Sequence, residues 1–275
     1  MQRTLFSPDS RETEPRFQSF QPPFYIGTGG WNYKDWVGPF YPAYLDNSDW
    51  LAYYPTQFHT VEIDSTFYGI PKESTVVNWR DRTPNDFQFT AKVPRAITHE
   101  RRLNNCQDIL TKFVKRMAIL GDKLGPLLLQ FPPGFSPEYF EVLHDFLPQL
   151  PVNYRFAIEI RDPGWLNQQF YDLLAANNVA LTLTDSSYIP KKSVLTADFT
   201  YIRWIGSFNS DIQYFGKTQR DRSADLREWA LVLAKKFAGK NIEVYGYFNN
   251  LYAGFSPDNI QQLFLAYQQV AQPDE

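Results

Sequence analysis

Phe156-Ala157-Ile158-Glu159-Ile160-Arg161, the stretch Gly164–Asn177 and Val179-Ala-Leu-Thr-Leu-Thr184 read in turn as strand, helix and strand. Both outer runs are short and rich in aromatic or β-branched residues, while the middle stretch repeats its apolar side chains at helical spacing. Two strands joined by a helix lie parallel, because the crossover returns the chain to the end from which the first strand started.

The same unit recurs outward in both directions. Six more strand-like runs are Phe24–Thr28, His59–Ser65, Phe87–Lys92, Pro126–Phe131, Thr200–Trp204 and Ile242–Phe248. Helical spacing marks Ser48–Phe58, Asn105–Leu120, Pro137–Leu147, Ala224–Phe237 and Pro257–Val270, with Ser74–Arg82 a shorter case. Ser136-Pro137 and Ser256-Pro257 each place an N-cap serine before an N1 proline. Ser186–Ala197, after the sixth strand, shows no helical pattern. Eight strands alternating with helices predict one α/β domain, a TIM-type (β/α)8 barrel spanning 23–275. Residues 1–22 read as a flexible polar lead-in that ends at Pro22-Pro23. Gly27-Thr28-Gly29-Gly30-Trp31 lacks the G-x-G-x-x-G spacing, which argues against a dinucleotide site.

Composition narrows the function classes. The net charge is −3 with no long basic run, so nucleic-acid binding is not expected. No apolar stretch approaches the ~18 residues of a membrane span, and Met1–Pro23 lacks a signal-like core, which together predict a cytoplasmic protein without membrane contact. Cys106 is the only cysteine and reads as structural. Aromatics stand out, with 23 Phe, 17 Tyr and 7 Trp, more than a core of this size needs.

Strand parity then sorts the polar residues. With Val61 and Ile63 facing the helices, Glu62 and Asp64 face the barrel axis. The same alternation turns Gln88, Thr90 and Lys92 inward on the third strand, Gln130 on the fourth, and Ala157, Glu159 and Arg161 on the fifth. Arg203 points inward on the seventh, Asp185 follows the sixth, and Asn249 ends the eighth. Polar groups thus gather at the C-terminal ends of the strands, where barrel enzymes carry their sites. Trp31, Tyr33, Trp36, Phe67, Tyr68, Trp165 and Trp204 lie on the loops of that end and suit a stacking wall for a sugar ring or base.

Several ordered motifs carry a resemblance. They are Ile26-Gly-Thr-Gly-Gly-Trp31, Trp36-x-Gly-Pro-Phe-Tyr-Pro42, Val61-Glu-Ile-Asp-Ser-Thr-Phe-Tyr68 and Leu124-Gly-Pro-Leu-Leu-Leu-Gln-Phe-Pro-Pro133. Phe87-x-Phe-x-x-Lys92 with Thr98-His99, Ala157-Ile-Glu-Ile-Arg161 with Trp165, Tyr201-Ile-Arg203 and Tyr247-Phe-Asn-Asn250 continue the series. From about residue 24 to 268 the chain resembles the YecE-like family called domain of unknown function 72. The resemblance implies a TIM-type barrel and supplies no reaction. Two positions depart from the family pattern: Ile205 stands where a histidine is common after the seventh-strand arginine, and Asp64 stands for asparagine.

The candidate catalytic residues are Glu62, Lys92, His99, Glu159 and Asp185. The candidate ligand-binding residues are Trp31, Asp64, Tyr68, Gln130, Arg161, Trp165, Arg203 and Asn249. Such a set suits acid–base chemistry on a small polar or anionic, sugar- or nucleotide-like molecule, with cations steadying developing negative charge. Lys92 as a Schiff-base amine and a carboxylate pair for glycoside cleavage remain open alternatives. The four acidic residues offer hard oxygen ligands for Mg²⁺ or Mn²⁺, and a metal-dependent hydrolase or isomerase is an alternative. The cationic neighbours already offset their charge, so the expectation is neither metal nor cofactor. A non-catalytic metabolite-binding protein is the competing class.

Overall fold

Short runs with two-residue periodicity cannot bury both faces alone, and here they close on one another. The computed structural model describes residues 16–207 and 210–271. The strands are β1 (Phe24–Gly29), β2 (Thr60–Ile63), β3 (Gln88–Lys92), β4 (Leu124–Gln130), β5 (Phe156–Glu159), β6 (Ala180–Ser186), β7 (Phe199–Gly206) and β8 (Glu243–Phe248). Each pairs in parallel with its sequence neighbour, and β8 pairs with β1, giving the single-domain closed barrel.

The helices are α1 (Trp50–Tyr53), α2 (Glu73–Asp81), α3 (Gln107–Met117), α4 (Phe140–Phe146), α5 (Gln168–Ala176), α6 (Ser223–Val232) and α7 (Ser256–Ala271). Apolar stripes dock them on the sheet; α3 buries Leu110, Phe113, Val114 and Met117. On the helix side of the strands Val61, Ile63, Phe89, Leu127, Leu129, Ile158 and Ile202 join the main core. Inside the barrel lies a second buried cluster of Leu128, Ala157, Ala180, Phe199, Tyr201, Tyr245 and Tyr247. Its phenols find hydroxyl partners across the barrel: Tyr247 with Thr60 at 2.7 Å and Tyr201 with Thr90 at 2.9 Å. Alternation along each strand therefore separates two cores.

Three expectations need correction. The Ser48–Phe58 stretch holds only the short α1 between two 3-10 turns, Asn47–Asp49 and Tyr54–Thr56, with Pro55 breaking the backbone ladder. The Ala224–Phe237 pattern divides into α6 and a π-helical turn, Leu233–Phe237. Of the supposed flexible lead-in, residues 1–15 lie outside the described residues, but 16–22 are docked. Phe17 and Phe20 are buried, and Gln57 accepts the Phe17 N–H at 3.2 Å. Two aromatic anchors override the polar composition of their neighbours. No helix among the described residues is long and apolar enough to cross a membrane.

Candidate functional site

β2, β5 and β7 each bring an inward-facing charge to the C-terminal end of the barrel, and the three meet at Arg203. Its Nη2 and Nε donate to Glu62 Oε1 at 2.7 and 3.1 Å, and its Nη1 donates to Glu159 Oε2 at 2.6 Å. Asp64 Oδ1 lies 3.4 Å from Nη2. The Arg203 side chain is 7% exposed and both glutamates 0%, whereas Asp64 is 35% exposed. Gly29 leaves room for this lip of the site, since a Cβ there would lie 3.1 Å from Asp64 Oδ2. The remaining oxygens of the two glutamates are also held. Tyr201 donates to Glu62 Oε2 at 2.6 Å, Tyr188 donates to Glu159 Oε1 at 3.1 Å, and Arg161 Nε sits 3.5 Å from that same oxygen. Buried charges of this kind persist only when paired and hydrogen-bonded, and every one here is.

Three carboxylates share one guanidinium, and their environments pull the two glutamates apart. Burial raises Glu62 to about 7 against the opposing pull of Arg203, and the neighbouring Asp64 charge adds to the rise. Burial also presses Glu159 upward, but Arg203, Arg161 and Lys92 together outweigh it and hold that carboxyl below its ordinary value. Burial opposes the charge on Arg203, and Glu62, Glu159 and Asp64 restore it, so the guanidinium stays protonated. The Tyr33 phenol, which donates to the Gly29 carbonyl, is pushed up by burial and by the Asp64 and Glu62 charges.

On the β3 side stands a cationic group. Lys92 Nζ lies 4.1 Å from the centre of the Phe67 ring, and His99 meets the same ring edge-on at 4.9 Å. His99 belongs to a π-helical turn, Ala96–Glu100, whose Thr98 hydroxyl lies 2.9 Å from His99 Nδ1. Arg102, Leu103 and Asn105 follow in the left-handed region, a strained backbone beside the mouth. Burial and then Arg203 lower the Lys92 pKa. Burial, Lys92, Arg161 and Arg95 lower His99 to about 4, so its imidazole is neutral at pH 7. A neutral ring with so low a pKa is a weak base.

Other candidates are placed differently. Asp185 does not join the cluster: its Oδ2 accepts from Trp229 Nε1 on α6 at 2.8 Å and from Tyr252 at 3.1 Å, with Lys191 Nζ 3.4 Å away. It shares the helix-facing parity of Leu181 and Leu183, so its carboxylate serves the outer layer. Trp165 is fully buried, stacks 5.5 Å from Phe135 and donates Nε1 to the Phe135 carbonyl at 2.7 Å, so it is core and not pocket wall. Trp31 packs edge-on to Trp79 at 6.0 Å and to Phe89 at 6.5 Å, also toward the helices. Tyr68 is 79% exposed on the rim. Gln130 is buried and donates to the Phe131 carbonyl. Asn249 accepts the Leu251 N–H at 2.9 Å and caps a 3-10 turn.

Tyr201 and Tyr188 complete the site without having been singled out, and Tyr33 and Phe67 join them from the expected aromatic wall. Tyr201 carried a signal, since it lies two residues before Arg203 on the same face. Tyr188 carried none, because Ser186–Ala197 has no periodicity from which to orient a side chain. Among the described residues no group of three or more His, Cys, Asp or Glu side chains is arranged to hold a metal ion. Open clefts of ≈ 520 and ≈ 290 Å³ lie at the opposite, N-terminal face, lined in part by Asn153, Tyr154 and Arg155, away from this charge cluster.

Comparison with known proteins bears on the whole chain. The family model described as protein of unknown function DUF72 matches residues 25–274. UPF0759 protein YecE of Escherichia coli K12 is 31% identical over 208 residues, covering 66% of this chain and 74% of that protein. UPF0759 protein YunF of Bacillus subtilis is 24% identical over 272 residues, covering 87% and 93%. A DUF72 family crystal structure from Thermotoga maritima superposes with a TM-score of 0.71 at 26% identity, covering 90% of this chain and 98% of that one. One from Enterococcus faecalis gives 0.73 at 20% identity, covering 92% and 99%, a likeness of fold.

Proposed function

This chain belongs to the DUF72 family, and within that frame we propose that it is an enzyme performing acid–base chemistry on a small polar or anionic molecule at the C-terminal mouth of the barrel. One observation carries the reading: two buried glutamates on one guanidinium are driven in opposite directions, Glu62 up to about 7 and Glu159 down. Environments that separate a pair of carboxyls in this way assign one as a proton carrier near neutral pH and the other as a permanent charge. Glu62 is the acid–base group, Glu159 keeps Arg203 in place, and Asp64 and Lys92 meet the ligand first. The proposed setting is the cytoplasm.

A second reading, a metabolite-binding protein without turnover, draws on the complete burial of Glu62 and Glu159, neither of which exposes side-chain surface. Glu62→Gln separates the two. After a ligand has been found by screening, its NMR spectrum is followed in the presence of wild-type or variant protein. The enzyme reading expects conversion by the wild type and retained binding without conversion by the variant. Tight binding with no conversion by either protein would overturn it in favour of the second reading.

A further inference from the structure

The Lys92 ammonium stands at the mouth outside the hydrogen-bonded Arg203 network. Its Nζ lies 4.1 Å from the centre of the Phe67 ring, and among the described residues it makes no hydrogen bond or ion pair, so its three N–H groups are available as donors. Other partly buried lysines of this chain behave differently. Lys123 donates to the carbonyls of Arg80 and Thr83 at 2.5 and 2.6 Å, and Lys191 donates to Asp225 and Glu228 at 2.6 and 3.0 Å. The Lys92 charge acts on Glu159 only from a distance, since Glu62 and Glu159 take their hydrogen bonds from Arg203 and their tyrosine donors. The ring 4.1 Å away favours the ammonium and offsets part of the burial that lowers the Lys92 pKa, which fits recognition of an ion.

The surroundings match an anion. Phe67 lies between Lys92 and His99, touching both. In the tautomer whose Nδ1 accepts from the Thr98 hydroxyl, the neutral His99 ring has an N–H on Nε2 to donate. Arg161, over the Tyr188 ring and near Glu159, adds positive potential from β5. We infer that Lys92, supported by His99 and Arg161 and walled by Phe67, forms a subsite for the oxyanion of a ligand, a carboxylate or a phosphate group. The inference deepens the proposed function by placing the anionic end of the substrate on the β3 side, away from Glu62.

The chain contains three histidines, His59, His99 and His144, so their ring Cε1–Hε1 NMR signals form a small, assignable set. Inorganic phosphate and, separately, pyruvate are titrated into the intact protein at pH 7, against chloride at matched ionic strength. The expected result is a saturable shift of the His99 signal beyond the chloride control, with His59 and His144 following the control. A response to phosphate alone or to pyruvate alone identifies which oxyanion the subsite takes. Lys92→Met weakens the response roughly tenfold to a hundredfold, as loss of a charged hydrogen bond does, and Lys92→Arg restores much of it. The amide spectra of both variants report that they fold. A His99 signal that follows chloride for both anions, or that responds equally in Lys92→Met, overturns the subsite. That outcome, alongside a ligand whose conversion still needs Glu62, would leave the acid–base reading standing.

Discussion

Glu62→Gln tests the electrostatics of the mouth through stability alone. Glutamine mimics the protonated carboxyl, so wild type and variant differ chiefly in the cost of ionising a buried group. Folded Glu62 holds its proton up to about 7 against an ordinary value of 4.5. Only the folded state retains the proton between those values, so stability linked to Glu62 is complete below pH 4.5 and is lost as pH rises through 7. The span of roughly 2.5 pH units at ~1.36 kcal/mol each amounts to about 3 kcal/mol. Urea unfolding of both proteins, followed by tryptophan fluorescence from pH 4.5 to 8, reads this directly. The variant should gain on the wild type by about 3 kcal/mol across the range, ~6–12 °C in Tm for a chain of this size. A pH-independent gap would refute the reasoning. So would a variant that loses ground as pH rises, since the Arg203 pairing would then dominate burial and Glu62 would be ionised throughout.

Three further predictions rest on separate parts of the fold. Lys92→Met should raise the His99 pKa from about 4 toward 6.5, because Lys92 is its strongest charged opponent; an unchanged pH titration of the His99 ring signal would contradict the placement. Asp185→Asn weakens the bonds to Trp229, Tyr252 and Lys191 and should cost roughly 1–3 kcal/mol in urea unfolding while leaving ligand affinity at the mouth unchanged. An affinity loss without a stability loss would return Asp185 to the site. Gly27→Ala would place a Cβ 2.1 Å from the Thr60 carbonyl oxygen, where only backbone movement relieves the clash; roughly 1–3 kcal/mol of destabilisation is expected, and a neutral effect would contradict the close approach of β1 and β2.

The barrel and the centre of its mouth were legible because both depend on strand parity. Glu62, Glu159 and Arg203 alternate with apolar neighbours that belong to the helix layer, and the structure brings the three together. Applied to β6, the same rule turns Asp185 outward with Leu181 and Leu183, and the misassignment came from treating it as a loop residue beyond the strand. The aromatic wall was legible only in part: Tyr33 and Phe67 stand at the mouth, but the tryptophans do not all do so. Whether a loop tryptophan faces the axis or the helices depends on turns with no periodicity, and Trp165 and Trp31 both found partners on the helix side. Phe17 and Phe20 escaped for a related reason: two rings in a polar segment carry no pattern until the groove that accepts them exists.

A thermal-shift screen with sugars, sugar phosphates, nucleotides and organic acids, run on wild type, Lys92→Met and Arg203→Met, tests most directly whether this mouth is a ligand site. A ligand at about 100 times its Kd adds ~2.7 kcal/mol, a rise of roughly 5–11 °C. The account predicts a stabilising compound bearing a carboxylate or phosphate whose effect is reduced in both variants. A compound that stabilises all three proteins equally would place the binding site elsewhere and contradict the account.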